Sequence, residues 1–156
     1  MSDIEYKVVD SGVSVESIFE QINKNTFPYS KPITRNGISV YSLADYDYLL
    51  RRIKEQDDIL FLNGFEVSRN GIEDNAITVT IRHDIDSDLL AAVELAKIEQ
   101  KHGISASYYL LHTCFYYGYL QKDLFHRHNN MASIYKSLQA MGHEIGLHID
   151  PYHLYS

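Results

Sequence analysis

Residues 76–88 read AITVTIRHDIDSD, and the period of this stretch decides the fold. Ile77, Val79 and Ile81 alternate with Thr78, Thr80, Arg82, Asp84 and Asp86, the period-two signature of a strand with one apolar face. The polar face ends in two carboxylates two residues apart, with His83 between Arg82 and Asp84. A helical pattern starts at once: Leu89, Ala92, Val93 and Ala96 form an i, i+3, i+4, i+7 stripe, and Gly103 is placed to end it. Downstream, SASYYLLH (105–112) reads as a strand. Met131, Ile134, Leu138 and Met141 share one face of a helix over 131–141, stopped by Gly142. HEIGLHID (143–150) alternates again, with Ile145, Leu147 and Ile149 on one side and Gly146, His148 and Asp150 on the other.

Strand, helix, strand, helix, strand is two successive βαβ units, which imply parallel strands joined by right-handed crossovers. Functional groups of parallel α/β folds collect at the carboxyl ends of strands. Asp84 and Asp86 lie at one such end, and His148 and Asp150 lie at another. Upstream, residues 14–23 read as a short amphipathic helix starting near Ser14 or Ser17, and FPYSKP (27–32) as a loop held by two prolines. The stretch from Ser42 has a helix start, with Leu43, Tyr46, Leu49, Leu50 and Ile53 at helical spacing. ILFLNGFEVSRNG (59–71) reads as a strand or hairpin with turns at Asn63-Gly64 and Asn70-Gly71. The chain therefore divides into a helix-rich flanking segment, 1–75, which holds no recognisable chemistry and is suited to cover one end of the fold, and an α/β unit, 76–156.

Composition narrows the function classes. At 156 residues the chain is long enough for one domain with a core. The net charge of −7, with no basic run, argues against nucleic acid or an anionic membrane as partner. No apolar run is long enough to span a bilayer. The N-terminus, MSDIEYKVVD, has no signal-peptide pattern, and the single cysteine, Cys114, rules out both an intrachain disulfide and a thiolate metal cluster. A cytoplasmic location is the expectation.

Mixed carboxylate and imidazole donors suit a divalent cation, and one left with open positions can activate water. Asp86 and His148 supply two donors; Asp150, Tyr152 and His153 are the local choices for a third. Asp84, on the same strand face as Asp86, is placed to accept a proton as general base. A plainer reading stands beside this one. An aspartate between strand and helix is often an N-cap worth about 1 kcal/mol, which fits Asp86 or Asp88. His102, His112, His126 and His128 read as surface or packing residues, His143 as closing a helix C-terminus, and Cys114 as a small apolar filler. The tyrosines at 108, 109, 116, 117 and 119 read as core or rim. Arg82 either pairs with a carboxylate or touches substrate.

TIRHDIDSD, a helix ending near HGISASYYLL, and then GHEIGLHID resemble the polysaccharide deacetylase family (carbohydrate esterase family 4), over about residues 76–151. The resemblance implies a distorted (β/α) barrel, of which this chain carries the N-terminal half, and zinc-assisted hydrolysis of an N-acetyl group on a sugar. Carried over, Asp84 takes the base role, Asp86 a ligand role, and His148 matches the family's first ligand histidine. The family's second ligand histidine lies four residues later, where this chain has Tyr152. His153, one further on, is the preferred third ligand, with Asp150 as the alternative. The family's later motifs have no counterpart before Ser156, so the expectation is a truncated partial barrel completed by a missing C-terminal half or a partner chain. Two further readings stay open: a hydrolase of another amide, such as a cyclic amide, and a non-catalytic module that binds metal or glycan.

Overall fold

Three parallel strands in the order β10-β7-β6 form the centre of the fold. They are β6 (Arg82–Ile85), β7 (Ser107–Leu111) and β10 (Glu144–His148). The computed structural model describes residues 7–14, 33–35, 38–40, 42–72, 74–86, 88–122, 124–129 and 131–150. Of the helix expected over 14–23, Ser14 is the last residue of a strand and the rest lies outside the described residues, as do the loop at 27–32, Ser87, and the candidates Tyr152 and His153. Around the sheet run β1 (Lys7–Ser14), β2 (Ile33–Arg35), β3 (Ile38–Val40), α1 (Leu43–Lys54), β4 (Ile59–Phe61), α2 (Gly64–Asn70), β5 (Ile77–Val79), α3 (Leu89–Lys101), β8 (Gly118–Gln121), β9 (Leu124–Asn129) and α4 (Met131–Ala140).

Each strand of the central sheet is laid beside the one before it. Arg82 to Ile85 pair with Ser107 to Leu110, and Glu144 to His148 pair with Ser107 to Leu111. The two crossover helices, α3 and α4, touch each other as well as the sheet. The core lies between them: Leu89, Ala92 and Ala96 of α3 and Met131, Ile134 and Leu138 of α4 pack against Ile85, Ala106, Tyr108 and Leu110. The architecture is mixed α/β with parallel strands, and among the described residues the sheet does not close into a barrel.

Local chemistry sets most of the boundaries. Ser42 caps α1 in a reciprocal box with Asp45. Asp88 caps α3, its carboxylate accepting the Ala91 N–H at 2.9 Å. Gly103 and Gly142 take positive φ of 65° and 92° just beyond α3 and α4, where a side chain would be strained. The His143 backbone N–H then closes α4 on the Leu138 carbonyl, so the imidazole is not what closes that helix.

One expectation for the flank needs correction. The second half of 59–71 is a helix and not a hairpin. Asn63 accepts the Glu66 N–H and Glu66 bonds back to the Asn63 N–H, so Asn63-Gly64 starts α2 and Gly71 ends it. Among its described residues the flank also holds strands beside its two helices. It contributes β1, which pairs in parallel with β9, the β2-β3 hairpin, and β4, which pairs in parallel with β5. The partners of β1 and β4 are distant in sequence, so a local pattern cannot announce them. The N-terminus of α2 does cover one end of the sheet. The Gly64 N–H donates to Ser107 Oγ at 2.9 Å and the Phe65 N–H to Glu144 Oε2 at 3.1 Å, while the Ser107 hydroxyl also donates to that carboxylate. These contacts sit at the amino ends of β7 and β10, away from Asp86 and His148.

A buried charge joins the layers. Glu99 of α3 is fully buried. It accepts hydrogen bonds from Tyr46 of α1 and Tyr108 of β7, both at 2.5 Å, and is 2.6 Å from His83 Nε2 of β6. His143 Nδ1 lies 3.6 Å from Glu99, but it accepts the Ala106 N–H while Nε2 donates to the Ala96 carbonyl. His143 is therefore the neutral Nε2–H tautomer and no ion-pair partner. Burial pushes the Glu99 carboxyl up; the hydrogen bond and charge of His83, with the two phenols, outweigh it and hold Glu99 below its ordinary value.

A carboxyl depressed on folding adds stability above its unfolded pKa, about 4.3, and loses it as pH falls through the folded value. Glu99→Gln is therefore expected to cost about 3 kcal/mol near pH 7 in denaturant unfolding. The stability of the variant should also fall less steeply than wild type below about pH 4.

Candidate functional site

The carboxyl ends of β6, β7 and β10 stand side by side, and each carries a polar residue. Along β6 the side chains alternate: His83 and Ile85 face the helices, while Arg82 and Asp84 are exposed on the opposite face. Asp86 follows directly. Because Asp88 performs the capping, the Asp86 carboxylate is available for another partner. Its Oδ1 lies 3.1 Å from His148 Nδ1, across the end of the intervening strand β7. The structure thus brings together two of the expected ligands, 62 residues apart in sequence.

That separation can be tested against the chemistry of a metal. A tetrahedral zinc ion with bonds of about 2.0–2.1 Å holds its donors about 3.4 Å apart. The Asp86–His148 pair is within a few tenths of an ångström of this spacing, and both side chains are partly exposed. Among the described residues, no group of three His, Cys, Asp or Glu side chains is arranged to hold a metal. His153 is outside those residues. Asp150 is described: its backbone N–H donates to His112 Nδ1 at 3.3 Å.

His112 is a packing residue, as the sequence predicts, and its contacts brace the site. It follows the last residue of β7, and its backbone N–H donates to the His148 carbonyl at 3.2 Å. With the Asp150 N–H bonded to its ring, it holds the end of β10 beside β7 from two points. The available signal was positional: His112 ends the strand pattern between the two that carry Asp86 and His148.

Tyr116 is a core residue, as expected, and it also supports the site. Its ring is fully buried, and its hydroxyl donates to the Ile85 carbonyl at 2.6 Å while accepting the Leu111 N–H at 2.9 Å. One phenol thus bridges β6 and β7 where their ladder ends, one residue before Asp86. Cys114 adds a weak Sγ contact to the Asp86 carbonyl at 3.1 Å, and burial pushes its thiol up. So Cys114 does more than fill space. Nothing in the sequence marks Tyr116 apart from the other tyrosines.

Arg82 resolves toward pairing with a carboxylate. Its Nε donates to Asp84 Oδ1 at 2.8 Å, which holds the guanidinium above its ordinary pKa. The guanidinium carbon lies 4.1 Å from the Tyr109 ring centroid. Asp84 and Asp86 leave β6 with separate partners, Arg82 and His148.

Tyr116→Phe removes a hydroxyl that serves two backbone groups. It is expected to destabilise the fold by about 2 kcal/mol in urea unfolding. Amide exchange should rise first at Leu111, whose N–H loses its acceptor.

No family model, curated protein or solved structure matches the chain.

Proposed function

We propose that the chain carries the site of a metal-dependent hydrolase of non-peptide C–N bonds, and that the bond is the N-acetyl amide of a carbohydrate. The observation that supports it most is the 3.1 Å approach of Asp86 to His148 at the carboxyl end of a parallel sheet, with Asp84 two residues upstream. Sequential addition of β6, β7 and β10, with α3 in contact with α4, supports reading the sheet as the start of a (β/α) barrel that further strands or a partner chain would complete.

In this reading Asp86 and His148 hold a divalent cation, zinc by their donor chemistry, with His153 as third ligand and Asp150 as the alternative. Bound there, the cation supplies Lewis acidity toward the amide. Asp84 takes the proton of the attacking water on the oxygen that Arg82 leaves free, and Arg82 keeps the carboxylate oriented. The hydroxyl of Tyr116 and the ring of His112 hold the strand ends at the separation the donor pair requires.

Two donors without a described third also fit a non-catalytic module that binds metal or glycan. The two readings part in one experiment. Elemental analysis of the purified chain should find near-stoichiometric zinc, lost in Asp86→Ala and in His148→Ala. Asp84→Asn should keep the metal while acetate release from N-acetylglucosamine oligomers falls by at least ~100-fold. Metal bound with no turnover of N-acetyl sugars or cyclic amides would favour the binding module. A folded chain with no affinity for zinc would overturn the hydrolase reading.

A further inference from the structure

Asp84, Tyr109 and Gly146 stand abreast on three neighbouring strands. Tyr109 pairs with Asp84 of β6 on one side and with Gly146 of β10 on the other. The ring of Tyr109 leans over Gly146: a Cβ there would lie 2.5 Å from Tyr109 Cε1 and 2.6 Å from Cδ1. Gly146 is not among the glycines with positive φ, so what it supplies is space, not an unusual backbone. Any larger residue would have to displace the ring.

The ring in turn carries Arg82. A guanidinium carbon 4.1 Å from the centroid is well inside the range of a cation–π contact. Arg82 is exposed and long, and a free arginine would sample many rotamers. Here it is held at two points, by the Tyr109 face and by the 2.8 Å bond from Nε to Asp84 Oδ1. The planar fork is what allows both contacts at once, and a lysine ammonium provides neither the plane nor the fork.

We propose that Tyr109 and Arg82 are positioning residues for the Asp84 carboxylate, and that Gly146 is glycine because the Tyr109 ring occupies the place of its side chain. The role assigned to Asp84 rests on the hydrolase reading above; the coupling itself rests on contacts alone. Its chemical logic is geometric. A general base must come within about 2.6–3.2 Å of the proton it takes, and a misplacement of 1 Å can cost on the order of 100-fold in rate. Arg82 occupies Oδ1 and so leaves Oδ2 as the oxygen that it does not hold. The second motif, around Gly146, thereby shapes the first, around Asp84, through a ring on the strand between them.

The test has a spectroscopic arm and a kinetic arm. In the arginine side-chain region of a nitrogen-15 correlation spectrum, wild type should give a slowly exchanging Arg82 Nε–H signal. Asp84→Asn should abolish it as a control, and Tyr109→Leu should weaken or shift it toward the free-arginine position. Gly146→Ala should perturb it by moving the ring. If that variant fails to fold, Gly146→Ala with Tyr109→Ala should restore folding, because the ring no longer competes for the space. In the kinetic arm, with N-acetylglucosamine oligomers as the probe, Tyr109→Leu and Arg82→Lys should lower kcat by about 10- to 100-fold with KM and bound zinc unchanged. An Arg82 signal that is the same in Tyr109→Leu as in wild type overturns the coupling. So does an unchanged kcat in both variants when Asp84→Asn is inactive. If wild type releases no acetate, the deacetylase reading fails, and the spectroscopic arm alone then decides the coupling.

Discussion

The carboxylate of Glu99, on the last turn of α3, is buried, and the arrangement of the surrounding elements follows from satisfying it. An ionised carboxylate away from water costs several kcal/mol unless charge and hydrogen bonds compensate. Here the compensation comes from three other elements: Tyr46 from α1, His83 from β6 and Tyr108 from β7. Meeting all three at 2.5–2.6 Å fixes α1, α3 and the sheet against one another more tightly than the apolar contacts around them demand. Apolar packing tolerates small shifts, whereas a buried carboxylate that loses a donor leaves a charge uncompensated.

That constraint reaches the site through β6. Neighbouring residues on a strand face opposite ways, so drawing His83 inward to Glu99 turns Arg82 and Asp84 outward. The triplet Arg82-His83-Asp84 is thus divided between two jobs. Its middle member anchors the strand to α3, and its outer members pair with each other beside the Tyr109 ring. At the end of the same strand the Tyr116 hydroxyl takes the Ile85 carbonyl, after which Asp86 crosses to His148. Both ends of β6 are therefore held by buried tyrosine or carboxylate contacts, while its exposed face keeps the polar groups. At the opposite end of the sheet, the first turn of α2 closes over Ser107 and Glu144.

Sequence and structure agree where one short-range rule governs. The alternation through 82–85 and 144–148, the stripes of α3 and α4, the glycine stops at Gly103 and Gly142, and the cap at Ser42 all depend on neighbours within a few residues. They diverge where two local rules compete or where a partner is distant. The expected single strand over 77–85 is instead two, β5 and β6, which belong to different sheets. Asn63-Gly64 satisfies a hairpin turn and a helix start equally well, and only the Glu66 reciprocal bond selects the helix. Leu147 and Ile149 alternate like core residues yet remain exposed, because periodicity specifies a face and not whether another element covers it. The sequence places His143 at the end of its own helix, but its ring bonds to Ala96 on α3, a contact 47 residues away.

By itself the sequence determined the parallel βαβ order, the strand ends that carry Asp84, Asp86 and His148, and the choice between Asp86 and Asp88 as two possible caps. Hydrogen-bonding ranges and side-chain periods are local, and they are enough for those features. The tertiary structure decided which aspartate caps and which one meets His148. It also decided that Glu99 is buried and satisfied, that Tyr116 and His112 hold the strand ends, and that Gly146 makes room for Tyr109. Apart from the Asp88 cap, each of these joins groups from different parts of the chain at distances of a few ångströms. Such a meeting depends on the register and twist of the whole sheet, which no short window of sequence encodes.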